Sequence, residues 1–122
     1  MIDFRKFFRS LKIAISGFKI TFQKEQSFRI QVFMGLLVVL LMFILKLNPL
    51  EKSVLIIVIV MVLSLELINS QIERFLDVVQ PNYQPEVKAI KDISAAAVLA
   101  AAFGAAAVGI IILLPHLFGL FG

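Results

Sequence analysis

Apolar and polar residues fall along this chain in blocks. Phe4, Phe7, Phe8, Leu11, Ile15, Phe18 and Phe22 recur at helical spacings of three or four, with Arg5, Lys6, Arg9, Lys12, Ser16 and Lys19 filling much of the space between. That pattern predicts an amphipathic helix over 3–22, lying in a membrane interface with its rings toward lipid and its cations toward water. Residues 30–47, centred on VFMGLLVVLLMFIL, predict a first spanning helix, a little short of the ~20 residues a span usually takes. KLNPLEK predicts a tight polar turn with Asn48-Pro49 as its breaker. A second span opens at Val54 and continues as helix to Val79, and the two prolines of QPNYQPE predict a loop over 80–86. Residues 93–114 carry no charge and predict a third span, followed by a frayed, glycine-broken tail, LPHLFGLFG.

Composition turns this string of helices into a class. The chain is 61% hydrophobic and only 16% charged, with a mean hydropathy of +1.01, which is more apolar surface than a soluble domain of this size carries. The expectation is an all-α integral membrane protein, one domain over 1–122, with three transmembrane helices and an N-terminal interfacial helix. No cysteine is present, which excludes disulfides and thiolate metal sites. The single histidine, His116, excludes a His-ligand cluster and is assigned an interfacial place with no chemical role. No short h-region with a small-residue cleavage site precedes the first span, so that span is expected to be retained.

Charge sets the orientation. Ten of the twelve Lys and Arg residues lie before the first span or between the second and third, while Lys46 and Lys52 lie between the first and second. The positive-inside rule therefore places the N-terminal helix and the 74–92 segment in the cytoplasm and the C-terminus outside. ISAAAVLAAAFGAAAVG in the third span is mostly alanine and glycine. Small side chains favour close helix approach, so this span is expected to pack on other helices.

The chemistry gathers at the end of the second span. At about 100° per residue, Glu66, Asn69, Glu73 and Asp77 share one face roughly 80° wide, flanked by Ser70. Glu66 stands roughly 18 Å past Val54 at ~1.5 Å per residue, near the cytoplasmic edge of a ~30 Å hydrocarbon layer. A carboxylate there carries a cost that something must offset. Glu25, just before the first span, and Lys91-Asp92, just before the third, reach the same membrane face, as does Arg29. Converging carboxylates without cysteine or histidine suit a hard cation, and Mg²⁺ commonly takes one or two carboxylates plus phosphate oxygens. A further carboxylate in a partly desolvated place suits a general base. Together these features fit phosphoryl transfer. The residues alone leave alternatives open: Glu73 and Asp77 as a solvated helix end paired with Arg74 or Lys88, Lys91-Asp92 as a helix opening, and Asn69 and Ser70 as interhelical hydrogen bonders.

E-x-x-N-S-x-x-E-x-x-x-D, here Glu66, Asn69, Ser70, Glu73 and Asp77, resembles the signature of the prokaryotic diacylglycerol kinase family. KAIKDISAAAV, with Lys91-Asp92, and KEQSF, with Glu25 and Phe28, match two further blocks, and FFRSLKIAISGF looks like the Gram-positive branch that includes undecaprenol kinases. The resemblance covers residues 4–115. It implies a bacterial inner-membrane lipid kinase, using ATP and Mg²⁺ and working as a homotrimer with active sites shared between neighbours. It implies Glu66 as the general base on the lipid hydroxyl, with Asn69, Ser70 and Gln31 in supporting or substrate-binding places. Glu25 and Glu73 would hold Mg²⁺ with the ATP phosphates, and Asp77, Lys91, Asp92 and Lys6 would contact the nucleotide. Gln71 departs from the family's usual small residue, and Lys6 stands near where relatives carry arginine. Two other outcomes remain open: a non-catalytic membrane assembly or ion-pathway subunit, and a catalytically altered family member. Diacylglycerol and undecaprenol are not separated by any residue of the sequence.

Overall fold

The structure is a computed structural model that describes residues 1–121. Four helices follow one another, α1 (Phe4–Lys24), α2 (Gln26–Ile44), α3 (Pro49–Val79) and α4 (Pro85–Phe121), with no strand among the described residues. The last three are each long and apolar enough to cross a membrane. At ~1.5 Å per residue α3 is about 46 Å long, which exceeds a ~30 Å hydrocarbon layer by several turns. A helix of that length carries polar residues beyond the apolar zone without a break in its backbone.

The helix boundaries differ from the sequence expectation for local reasons. α2 begins at Gln26 rather than 30, because only Glu25 interrupts the helix after α1. The Arg29 guanidinium donates to the Phe22 and Gln23 carbonyls, 2.9 Å each, and so satisfies the end of α1. Arg29 therefore serves the helix junction and does not join the acidic face. α3 begins at Pro49 rather than Val54. Asn48 and Glu51 form a reciprocal capping box at its start, and proline at the first helical position removes only an N–H that would have had no partner. α4 begins at Pro85, eight residues before the expected span, so the second proline of QPNYQPE opens the helix. The expected frayed tail is instead helical through Pro115 to Phe121, and Gly122 lies outside the described residues.

α3 is the hub, packed chiefly along α4, then on α2, with α1 touching both α2 and α3. Phe28, 2% exposed, lies 6.5 Å from the Phe18 ring, and Phe22 meets Phe33 edge-on at 5.9 Å. Two aromatic positions of α1 thus fold back on α2, while Phe4, Phe7, Phe8, Leu11 and Ile15 stay exposed. At the opposite end Met42, Leu45, Leu47, Leu55 and Leu113 form a buried cluster. Beside it the His116 Nε2 lies 3.1 and 3.2 Å from the two Glu51 carboxylate oxygens, joining the end of α4 to the start of α3. The residue given no role on sequence grounds is a helix-to-helix contact.

Elsewhere the chain leaves its apolar surface open. Phe33, Leu36, Leu40, Phe43, Ile57, Val60, Phe103, Ile110 and Ile111 are all more than half exposed. A water-soluble monomer does not tolerate so continuous an apolar surface, so lipid or further copies of the chain must cover it. On α4 the small residues Ala95, Ala96, Ala100, Gly104 and Ala107 are among those exposed. The alanine-rich helix therefore meets α3 along one side and leaves the rest of its small-residue surface free within this chain.

Gly35 marks the tightest approach of α2 to α3, where an added Cβ would stand 3.1 Å from the Ile59 Cγ2. Gly35→Leu is expected to destabilise the protein by about 1–3 kcal/mol through overpacking. Ile59→Ala placed in the same chain should recover much of the loss, as read by thermal unfolding in detergent. Equal stability of wild type and Gly35→Leu would mean that the two helices do not pack here.

Candidate active site

Glu25 is the one residue between α1 and α2, in extended conformation with φ −110° and ψ 111°. Its N–H donates to the Thr21 carbonyl at 2.8 Å, which fixes the backbone of the junction. Its carboxylate reaches α3, where the Ser70 hydroxyl donates to Oε1 at 3.1 Å. Ser70 is 4% exposed and Glu66, one turn earlier, is 7% exposed. One turn beyond, the Asn69 amide donates to the Glu73 Oε1 at 3.4 Å, a long bond, while the buried Asn69 Oδ1 has no hydrogen-bond partner. The carboxylates of Glu25 and Glu73 both act on Glu66 through their charge. Three acids from two segments thus converge, with Asn69 and Ser70 between them.

A second, outer group lies further along α3 and on α4. Lys91 Nζ meets Asp77 Oδ1 at 2.5 Å, and Lys88 Nζ meets Asp92 Oδ2 at 2.6 Å. Most of these side chains are well exposed. The sequence placed Asp77, Lys91 and Asp92 with the inner acids. The structure sets them outside that group as ion pairs, and Lys88, considered only as a partner for Glu73 or Asp77, bonds Asp92. The Lys88–Asp92 spacing of four on one helix face was a readable signal. No ion pair involves Arg74 among the described residues.

Lys6 is not brought to either group within the chain. It lies exposed in the first turns of α1, roughly 28 Å along the helix from Glu25 at ~1.5 Å per residue. Gln31 is half-buried and lines the mouth of an apolar groove between α2, α3 and α4, with a volume of about 630 Å³. Val62 and Leu63, the turn of α3 before Glu66, line the same groove. Gln71 lines a different cleft, of about 380 Å³, between α1 and α3, together with Gly17 and Arg74.

Oxygen is the only donor type in the inner group, which suits a hard cation. Among the described residues no three His, Cys, Asp or Glu side chains form a metal cage. Mg²⁺ in general keeps waters and substrate phosphates and needs few carboxylates from the protein. Among the described residues the buried Asn69 Oδ1 is left without a hydrogen-bond partner, on the side chain whose amide nitrogen meets Glu73.

An acidic centre at one end of three long apolar helices defines a helical membrane protein with a polar site near the edge of its apolar zone. The family model for prokaryotic diacylglycerol kinase matches residues 12–113, and the chain belongs to that family. It is 36% identical over 112 residues to a diacylglycerol kinase of Synechocystis, covering 91% of this chain but 64% of that protein, so it spans under two thirds of that relative's length. It is 30% identical over 115 residues to an undecaprenol kinase of Bacillus subtilis, covering 94% of each chain. A diacylglycerol kinase of Helicobacter pylori is 32% identical over 96 residues, 79% of this chain and 75% of that one.

The exposed Lys91–Asp77 pair has little stabilising value, about 0–1 kcal/mol, as is usual for ion pairs in contact with solvent. Lys91→Ala is therefore expected to leave the thermal midpoint nearly unchanged in detergent. A large drop in that midpoint would make Lys91 a structural residue.

Proposed function

We propose that this chain is an ATP- and Mg²⁺-dependent lipid kinase that transfers the γ-phosphate to the primary hydroxyl of a membrane lipid, diacylglycerol or undecaprenol. The observation that carries the proposal is Glu66. It is a buried carboxylate on a helix that is otherwise apolar for several turns, set against two further carboxylates. Such a group is retained for a purpose that offsets its cost. Membership of a lipid-kinase family supports the same reading.

In this mechanism Glu66 accepts the proton of the lipid hydroxyl as the oxygen attacks phosphorus, and Asn69 helps to keep its surroundings polar. Glu25 and Glu73 are the residues that would hold Mg²⁺ together with the ATP phosphates. Bound Mg²⁺ would supply positive charge to the phosphoryl oxygens of the transition state. Asp77, Lys91 and Asp92 take the nucleotide from the aqueous side. Their exposed ion pairs are weak enough to exchange partners when a polyphosphate arrives. The apolar groove lined by Gln31, Val62 and Leu63, the last two in the turn of α3 before Glu66, supports a place for the lipid. A lipid lying there keeps its tail among aliphatic side chains while its hydroxyl meets Glu66. The co-extensive undecaprenol kinase tilts the choice of acceptor toward undecaprenol.

The same reading places the protein in the bacterial inner membrane, with the acidic end and the N-terminus cytoplasmic, the C-terminus outside and α1 lying in the interface. Its support is the excess of Lys and Arg at that end. A homotrimer with shared sites is supported by the uncovered small residues of α4, where an added Cβ at Gly104 or Gly109 would meet nothing within 4 Å. Lys6 in a nucleotide-binding role calls for such a neighbour.

The test is transfer of labelled phosphate from ATP to diacylglycerol and to undecaprenol, offered together in mixed micelles. Glu66→Gln is expected to lower kcat by a factor on the order of 10²–10⁴, the usual contribution of a general base, while Mg-ATP still raises the thermal midpoint. Wild-type turnover in Glu66→Gln would remove the base assignment. No transfer to either lipid, with no midpoint shift from Mg-ATP, would favour a non-catalytic assembly.

A further inference from the structure

Serine and threonine inside helices usually donate their hydroxyl to the carbonyl four residues back. Among the described residues three side chains do so, Ser10 to Lys6 at 3.0 Å, Thr21 to Gly17 at 2.9 Å and Ser53 to Pro49 at 2.8 Å, while Ser16, Ser64 and Ser94 make no side-chain hydrogen bond. Ser70 does not. Its proton goes to Glu25 Oε1, 45 residues away in sequence, although Ser70 is buried in mid-helix, where the carbonyl of Glu66 is the usual acceptor.

Glu25 shows the matching anomaly. It is the N-cap residue of α2, where a side-chain oxygen ordinarily accepts from the first free backbone N–H groups. Its carboxylate makes no such bond. The Ser70 hydroxyl thus bonds across the helices, to a Glu25 carboxylate that is not engaged in capping α2. Glu25 and Glu73 both lie close enough to Glu66 to act on it as like charges. Among the described residues, Ser70 is the hydrogen-bond donor that meets the Glu25 carboxylate.

We propose that Ser70 is a positioning residue, which fixes the Glu25 carboxylate on the acidic face of α3 so that it can share a divalent cation. The proposal rests on the reading of Glu25 as a Mg²⁺ ligand. Oε1 is occupied by a neutral donor and Oε2 stays open, so the Ser70 bond need not break when a cation binds. Partners that orient a metal ligand typically contribute 10–100-fold in metal affinity or activity.

Mn²⁺ serves as the probe, with a non-hydrolysable ATP analogue in detergent, and its bound fraction is read by electron paramagnetic resonance. Ser70→Ala is expected to weaken Mn²⁺ binding about tenfold. In the kinase assay the same variant should raise the Mg²⁺ concentration for half-maximal rate, with kcat largely recovered at saturating Mg²⁺. Ser70→Thr keeps the hydroxyl and should stay near wild type in both. A role in packing alone would lower the thermal midpoint of Ser70→Ala without moving its Mn²⁺ affinity, and that result overturns the proposal. If Ser70→Ala does not fold, Ser70→Cys, of similar size and a weak donor, takes its place under the same two outcomes. Glu25→Gln separates this proposal from the one beneath it. Normal Mn²⁺ binding in Glu25→Gln means that Glu25 is no ligand. Weak binding there with normal binding in Ser70→Ala means that only the Ser70 assignment is wrong.

Discussion

A carboxylate buried near the end of a membrane-spanning helix constrains everything around it. Glu66 is 7% exposed and has two other acids acting on it through their charge. Apolar surroundings raise the free energy of a charged group, and like charges raise it again. Each neighbouring feature answers that strain. Asn69 and Ser70 bring polar atoms to the same turns, and Ser70 takes up one oxygen of Glu25. Lys24 and Arg74, next in sequence to Glu25 and Glu73, enter no ion pair among the described residues, and Lys88 and Lys91 are occupied with Asp92 and Asp77. The inner acids therefore lie near an apolar groove without an ion-pair partner among the described residues.

The rest of the fold serves that placement. α3 is long enough to cross the apolar layer and still project beyond it, so Glu66, Glu73 and Asp77 can occupy successive depths on one helix. The junction between α1 and α2 is a single extended residue, and that residue is Glu25. Arg29 closes the end of α1 from the other side of the junction, so the turn is held by backbone bonds and does not need Glu25's carboxylate as a cap. At the far end the capping box of Asn48 with Glu51, and the contact of Glu51 with His116, anchor α3 to α4.

Much of this was legible in the sequence because hydrophobic blocks and the spacing of Glu66, Asn69, Glu73 and Asp77 are properties of single segments. The helices, their order and the acidic face of α3 follow from periodicity alone. Starts were misplaced wherever a cap outweighed composition, as with the capping box of α3, whose polar residues read as a turn. The division of the acids into an inner group and an outer set of ion pairs was not legible. It depends on Lys91 of α4 reaching Asp77 of α3 across a helix pair, and hydropathy says nothing of that. Arg29 was placed at the right membrane face, but its bonds to the carbonyls at the end of α1 depend on the turn between two helices and were not legible. The bond from Ser70 to Glu25 depends on how two helices pack, which no local pattern encodes.

The account stands on the junction residue Glu25 meeting the acidic turn of α3, and the absence of cysteine in the chain makes that contact directly measurable. Glu25→Cys and Ser70→Cys, introduced together and treated with a short thiol cross-linker in native membranes, are expected to join rapidly within one chain. Lys46→Cys paired with Ser70→Cys, at opposite ends of the bundle, should not. Failure of the first pair to cross-link, or equal yields from the two pairs, would contradict the account.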